Sequence, residues 1–302
     1  MEANPASSSP AARFGATGLV VLGLICQELG ATIAITLFPE VGSTGMVLLR
    51  LLFSAILLLI VFRPSVRGRS RADWLTVVGF GLVLATMNAV FYTSLLSLPL
   101  GVAVTIELLG PLVLSVVISR RPSAWLWAAL AFAGVLLLGS GGFTKQFTLV
   151  GVIFAAAAGV MWVCYILLSA RTGQHFSRLD GLAIATAVGA IAIAPVGILT
   201  ARLALVTPRV LALGLGVAIL SSAVPYGLEL ISLRRLPAAT FSILMSLAPA
   251  IAALAGFVVL RQELSLLGSI GIGCVVAASI GAVILAARTR PGQGELGQEP
   301  LA

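Results

Sequence analysis

Ten stretches of this chain are apolar over the thickness of a bilayer, at approximately 14–38, 43–63, 74–97, 101–119, 124–140, 148–170, 179–201, 209–233, 237–260 and 264–287. Runs of about 20 apolar residues, strung together with short polar joints, have lipid as their natural solvent, and in lipid the backbone must satisfy its own polar groups, which a helix does within each run. The expected fold class is therefore an all-α polytopic membrane protein of ten transmembrane helices. With 302 residues there is no room beside the bundle for a large soluble domain. Composition agrees, with 60% hydrophobic and 9% charged residues, outside the range of ordinary water-soluble domains. The first run is too long for a signal-peptide core and leads directly into a second, so it reads as a mature helix.

The net charge of +8 raises nucleic acid as a partner, but the positions of the cations point to orientation instead. With the N-terminus inside, Arg13, Arg63, Arg67, Arg69, Arg71, Arg120, Arg121, Arg171, Arg178, Arg234, Arg235, Arg288 and Arg290 fall on the cytoplasmic side. Only Lys145, Arg202, Arg209 and Arg261 fall outside, a ratio of thirteen to four. Both termini are then expected in the cytoplasm, with residues 1–13 and 288–302 as disordered ends and no nucleic-acid role. Cys26, Cys164 and Cys274 each lie inside an apolar run and read as packing residues rather than a disulfide framework.

The chain also resembles itself. Leu98-Pro99-Leu100-Gly101, with Pro111 twelve residues after Pro99, matches Leu236-Pro237-Ala238-Ala239, with Pro249 twelve residues after Pro237. The offset is 138 in both cases, and Ala85 and Ala223 keep it upstream. Two units, 14–140 and 148–287, follow. Because a five-span unit is odd, the second copy enters the membrane from the opposite side, giving inverted repeats suited to alternating access. Prolines inside spans remove a backbone donor and weaken the helix. Pro111, Pro195, Pro225 and Pro249 are such points, with Pro111 and Pro249 the candidates for helix breaks and gating.

Ionisable residues inside a membrane are functional candidates because they are costly unless paired or hydrated. Four stand out: Glu28, Arg50, Glu107 and Glu229. At 1.5 Å per residue Glu28 lies roughly 15 Å below the outer end of its helix, and Arg50 and Glu107 about 10 Å below theirs, so the three are able to meet at one depth. A cation for a carboxylate and an anion for an ammonium are what an amino acid requires. Glu107 is the candidate to take up and release a proton. A purely structural Arg50–glutamate pair is the alternative, and Glu229 is as well placed to pair with Arg234 as to line a path.

Asn88 and Tyr92 are four apart, Tyr226 and Glu229 three apart, and Trp162 and Tyr165 three apart, so each pair shares a helix face and is a candidate cavity wall or a packing element. Trp74, Trp125 and Trp127 lie near span starts, as interfacial tryptophans do. His175, the single histidine, falls in a short cytoplasmic loop. No metal-ligand spacing, phosphate loop or Ser/His/Asp set is present in the sequence, so the expectation is no metal, no cofactor and no enzyme, with any energy drawn from a gradient.

Met87-Asn88-Ala89-Val90-Phe91-Tyr92, Leu98-Pro99-Leu100-Gly101-Val102-Ala103-Val104, Glu107-Leu108-Leu109-Gly110-Pro111 and Ser119-Arg120-Arg121-Pro122 together resemble the threonine/homoserine exporter branch of the EamA family, in the drug/metabolite transporter superfamily. So do Pro225-Tyr226-Gly227-Leu228-Glu229, Arg235-Leu236-Pro237-Ala238, Thr240-Phe241, Leu244-Met245-Ser246, Pro249-Ala250, Leu37-Phe38-Pro39, Leu49-Arg50 and Trp162 with Tyr165. The similarity runs from about Gln27 to Ile284. It implies a ten-helix inner-membrane exporter of small hydrophilic metabolites, typically amino acids, working by proton-coupled alternating access. Arg50 then serves as partner of the substrate carboxylate and Glu107 as partner of the proton or ammonium. Tyr92, Trp162, Tyr165, Tyr226 and Glu229 shape the pathway. Three positions depart from the pattern: Ala248 where relatives often carry Glu, Arg261-Gln262-Glu263 in place of Gly-Glu, and Glu28 where Gln is common. An exporter of drugs or amphipathic metabolites, and a non-transporting receptor or scaffold, are the alternatives.

Overall fold

The computed structural model describes residues 10–65, 68–119, 122–139, 147–176, 178–233, 236, 238–263 and 265–287. The protein is all-helical. The elements are α1 (Pro10–Phe62), α2 (Arg71–Ser94), α3 (Leu100–Ser119), α4 (Pro122–Gly139), α5 (Leu149–His175), α6 (Arg178–Ala201), a 3-10 turn (Arg202–Val206), α7 (Pro208–Ala218), a π turn (Ile219–Ala223), α8 (Val224–Leu233), α9 (Ala238–Met245), α10 (Ala248–Leu260) and α11 (Leu266–Ala287).

Among the described residues, seven helical stretches are long and apolar enough to cross a membrane, and Ser123–Leu138 and Pro208–Ala223 are shorter apolar helices. Their outer faces suit lipid. Leu75, Ile191, Leu199 and Leu266 are each about three-quarters exposed, at 75, 74, 75 and 78%, a cost in water that hydrocarbon removes.

The first helix starts at Pro10, inside the stretch expected to be disordered, and the four residues expected to join the first two runs are almost entirely helical. Gly42 alone interrupts them. Its φ of 70° and ψ of 168° turn the chain at a single residue, and a side chain there would meet the Thr200 methyl at 2.6 Å. Beyond this kink α1 lies close against α6: ideal Cβ atoms on Gly45 and Gly197 would come 2.7 Å from the Cβ atoms of Ala201 and Leu48. Small residues thus let two spans approach where lipid gives no hydrophobic drive to pack them.

Short polar segments at the ends seal the backbone. Ser70 and Asp73 form a capping box at the start of α2, with the Asp73 amide donating to Ser70 Oγ at 3.1 Å and the Ser70 amide to Asp73 Oδ2 at 2.9 Å. Thr148 caps α5 by accepting from the Gly151 amide at 3.1 Å. His175 closes α5 as its final residue rather than lying in a loop, and its carbonyl accepts from Arg69. The same Arg69 guanidinium stacks 4.4 Å from the Phe176 ring centroid, which joins the α1–α2 connection to the end of α5. On the opposite side, Arg209 at the start of α7 pairs with Glu40 at 2.7 Å, next to the kink.

The expected helix breaks differ. Pro111 and Pro195 sit inside α3 and α6, which continue through them, so Pro111 is no break. Pro249 follows an actual interruption: α9 ends at Met245, and Pro249 lies in the first turn of α10. The π turn Ile219–Ala223 precedes Pro225, spacing out the backbone where the proline lacks a donor. Cys26, Cys164 and Cys274 are free and half-buried.

Candidate functional site

Three of the four expected membrane charges lie on α1 and α3. Glu28 is buried at 3% exposure before the α1 kink, and Arg50 is half-buried beyond it. Glu107 is half-buried on α3. Arg50 acts electrostatically on both carboxylates, and Glu28 acts on Glu107. Arg50 Nη1 also donates to the hydroxyl of Tyr92 at 3.2 Å, with the guanidinium carbon 5.6 Å from the ring centroid. The tyrosine is fully buried and held by Phe38 and Phe91, at centroid distances of 5.7 and 6.0 Å. Two carboxylates, one guanidinium and a phenol therefore share a low-dielectric interior, where each contact is stronger than in water.

Pro111 supplies a backbone feature at the same place. It has no N–H, so the Glu107 carbonyl four residues earlier receives no helical bond from it. That carbonyl faces α5, where an ideal Cβ on Gly159 would lie 2.8 Å from it. One turn on, a Cβ on Gly110 would lie 2.0 Å from the Gly159 carbonyl oxygen, so α3 and α5 cross backbone against backbone.

Beside this crossing is a cavity of about 270 Å³. Leu108, Pro111 and Ser115 of α3, Trp162 of α5, Ser242 of α9, Ser246 in the α9–α10 break and Ser279 of α11 line it. Trp162 thus faces the cavity, whereas Tyr165 packs 5.1 Å from Phe80 of α2, so the two do not form one wall. Asn88 is buried and donates to the Leu84 carbonyl of its own helix at 2.8 Å. Tyr226 and Glu229 belong to α8, but their side chains lie outside the described residues, as does Arg234. Sequence reasoning passed over Ser115, Ser242 and Ser279, and noted Ser246 only as part of a family motif. The four-residue spacing of Ser242 and Ser246, in an otherwise apolar segment, is the signal that marks part of this set.

The EamA-like transporter family pattern matches residues 149–284. The threonine/homoserine exporter RhtA of Escherichia coli (strain K12) is 39% identical over 267 residues, covering 88% of this chain and 90% of that protein. RhtA of Salmonella typhimurium (strain LT2) is 36% identical over the same shares. The chain belongs to the EamA family. It falls in the RhtA-like branch, and the family is one of transporters rather than enzymes. A crystal structure at 20% identity and a TM-score of 0.61, covering 92% of this chain and 99% of its own, shares the fold. As an EamA protein the chain is a multi-pass membrane transporter of small molecules.

Proposed function

We propose that this chain is a secondary exporter of small hydrophilic metabolites, amino acids such as threonine and homoserine, in a bacterial inner membrane. The observation that carries this reading is the set of Glu28, Arg50, Tyr92 and Glu107, of which Glu28 and Tyr92 are buried and Arg50 and Glu107 half-buried. Arg50 offers bidentate donors to an α-carboxylate, and a glutamate accepts the α-ammonium. One guanidinium balances one carboxylate and leaves a second for a proton or for the substrate ammonium. Exchange between those two occupants of Glu107 is proton-coupled antiport. The names carried by RhtA relatives support the same substrate class.

Ten spans in two inverted five-helix units, with both termini cytoplasmic, complete the proposal. The first unit is α1 before Gly42, α1 beyond it, α2, α3 and α4; the second is α5, α6, α7 with α8, α9 with α10, and α11. Packing supports this pairing. The α2–α5 contact has its counterpart in α1 against α7 and α8, and the α3–α5 contact in α1 against α9 and α10. Gly134 of α4 and Gly271 of α11 are 137 residues apart, one short of the 138 offset between the proline motifs. Each would place a Cβ against the other's carbonyl oxygen, at 2.6 and 2.5 Å, as expected of matched positions at a pseudo-two-fold axis.

The competing reading is a drug-sized or amphipathic substrate. The test is substrate-induced thermal stabilisation of the purified protein across the twenty amino acids and homoserine, at two pH values, followed by flux in proteoliposomes. Stabilisation and pH-gradient-dependent flux of hydroxylated or other small amino acids is the expected result. Response to lipophilic cations alone overturns the reading.

A further inference from the structure

Among the buried hydroxyls of the described residues, those of Thr105, Thr186 and Ser246 donate to the carbonyl four residues earlier, at 2.6–3.1 Å. Thr172, Ser221 and Ser279 have hydroxyls without a partner, and of these three Ser279 alone lines the cavity. It is 5% exposed, its hydroxyl is shielded from solvent, and that oxygen has no hydrogen-bond partner in the protein. Leaving such a group unpaired in an apolar interior costs as much as a lost hydrogen bond, so its position calls for a ligand.

The residue borders the cavity beside Trp162, together with Ser115, Ser242 and Ser246. Ser246 spends its proton on the Ser242 carbonyl at 3.1 Å and keeps oxygen lone pairs to accept with, whereas Ser279 has both its proton and its lone pairs unused. Leu108, which follows Glu107 on α3, and Trp162 of α5 also line the cavity. It is large enough for a small side chain and its hydroxyl.

We propose that Ser279 is a specificity-determining residue: it hydrogen-bonds the side-chain hydroxyl of the transported amino acid and selects hydroxylated substrates over their deoxy analogues. This rests on the exporter reading above. A site built to bond a hydroxyl discriminates against the analogue lacking it, because the protein group is then left buried and unpaired.

The probe is 2-aminobutyrate, which carries the same ammonium and carboxylate as threonine and homoserine and lacks only the hydroxyl of either. Initial rates for the three are measured in proteoliposomes with the wild-type protein and with Ser279→Ala. The wild type is expected to prefer the hydroxylated substrates. Ser279→Ala should lower that preference by about threefold to tenfold. Ser279→Thr, which retains a hydroxyl, should keep the preference. Equal wild-type rates for threonine, homoserine and 2-aminobutyrate overturn the assignment without any variant, as does an unchanged preference in Ser279→Ala; both leave the exporter reading standing. No wild-type flux of any amino acid overturns the exporter reading and the subsite with it.

Discussion

Arg50 reaches from the second half of α1 to the hydroxyl of Tyr92 on α2, a 3.2 Å hydrogen bond across the most deeply buried tyrosine of the described chain. The phenol fixes one edge of the guanidinium. Tyr92→Phe keeps the ring that packs on Phe38 and Phe91 but removes this hydrogen bond to Arg50. The variant should assemble normally and bind its amino-acid substrate about threefold to tenfold more weakly. Titration of the purified protein with threonine measures this; unchanged affinity would make the bond a packing detail.

Glu107→Gln removes a charge from the Arg50 cluster while conserving shape. Exchange of substrate down its own gradient should persist, because an amide still accepts from an ammonium. Acceleration of export by an imposed pH gradient should vanish. Parallel counterflow and pH-jump assays separate the two, and full gradient-driven export by the variant would move the coupling role elsewhere, with Glu28 next in line.

At the α3–α5 crossing, Gly110 and Gly159 have no space for a methyl group, since the ideal Cβ positions lie 2.0 and 2.8 Å from backbone oxygens of the facing helix. Gly110→Ala should destabilise the fold by about 1–3 kcal/mol through overpacking, read as a lower unfolding temperature in detergent. Gly79→Ala, where nothing lies within 4 Å, is the control and should be neutral or slightly stabilising.

Hydropathy made the all-helical membrane class legible because lipid demands long apolar helices whatever their partners. Glu28, Arg50 and Glu107 stand out in the sequence because charges in such helices are rare. What depends on the neighbouring helix was not legible. Pro111 was expected to break α3, but losing one hydrogen bond does not end a helix that is packed on α5 through adjacent glycines. Trp162 and Tyr165 share a face by spacing, yet one meets the cavity and the other Phe80, because three residues on a helix span some 60° of arc. Ser279 resembles any other serine until its missing partner is seen.

The connection from α10 to α11 ties two helices together. Arg261 adopts φ 56° and ψ 33°, the left-handed conformation that ends a helix and that glycine takes without strain. The next residue, Gln262, uses its Oε1 to accept from the Leu100 amide at 3.0 Å, satisfying one of the free donors at the start of α3. The pair thus ties the end of α10 to the start of α3. Gln262→Ala should cost about 1 kcal/mol by orphaning that amide, whereas Arg261→Gly should stabilise by about 1 kcal/mol by relieving the backbone. Thermal unfolding of both variants in detergent gives opposite shifts in Tm. A drop in both would mean that the arginine side chain makes a contact worth more than the strain it imposes.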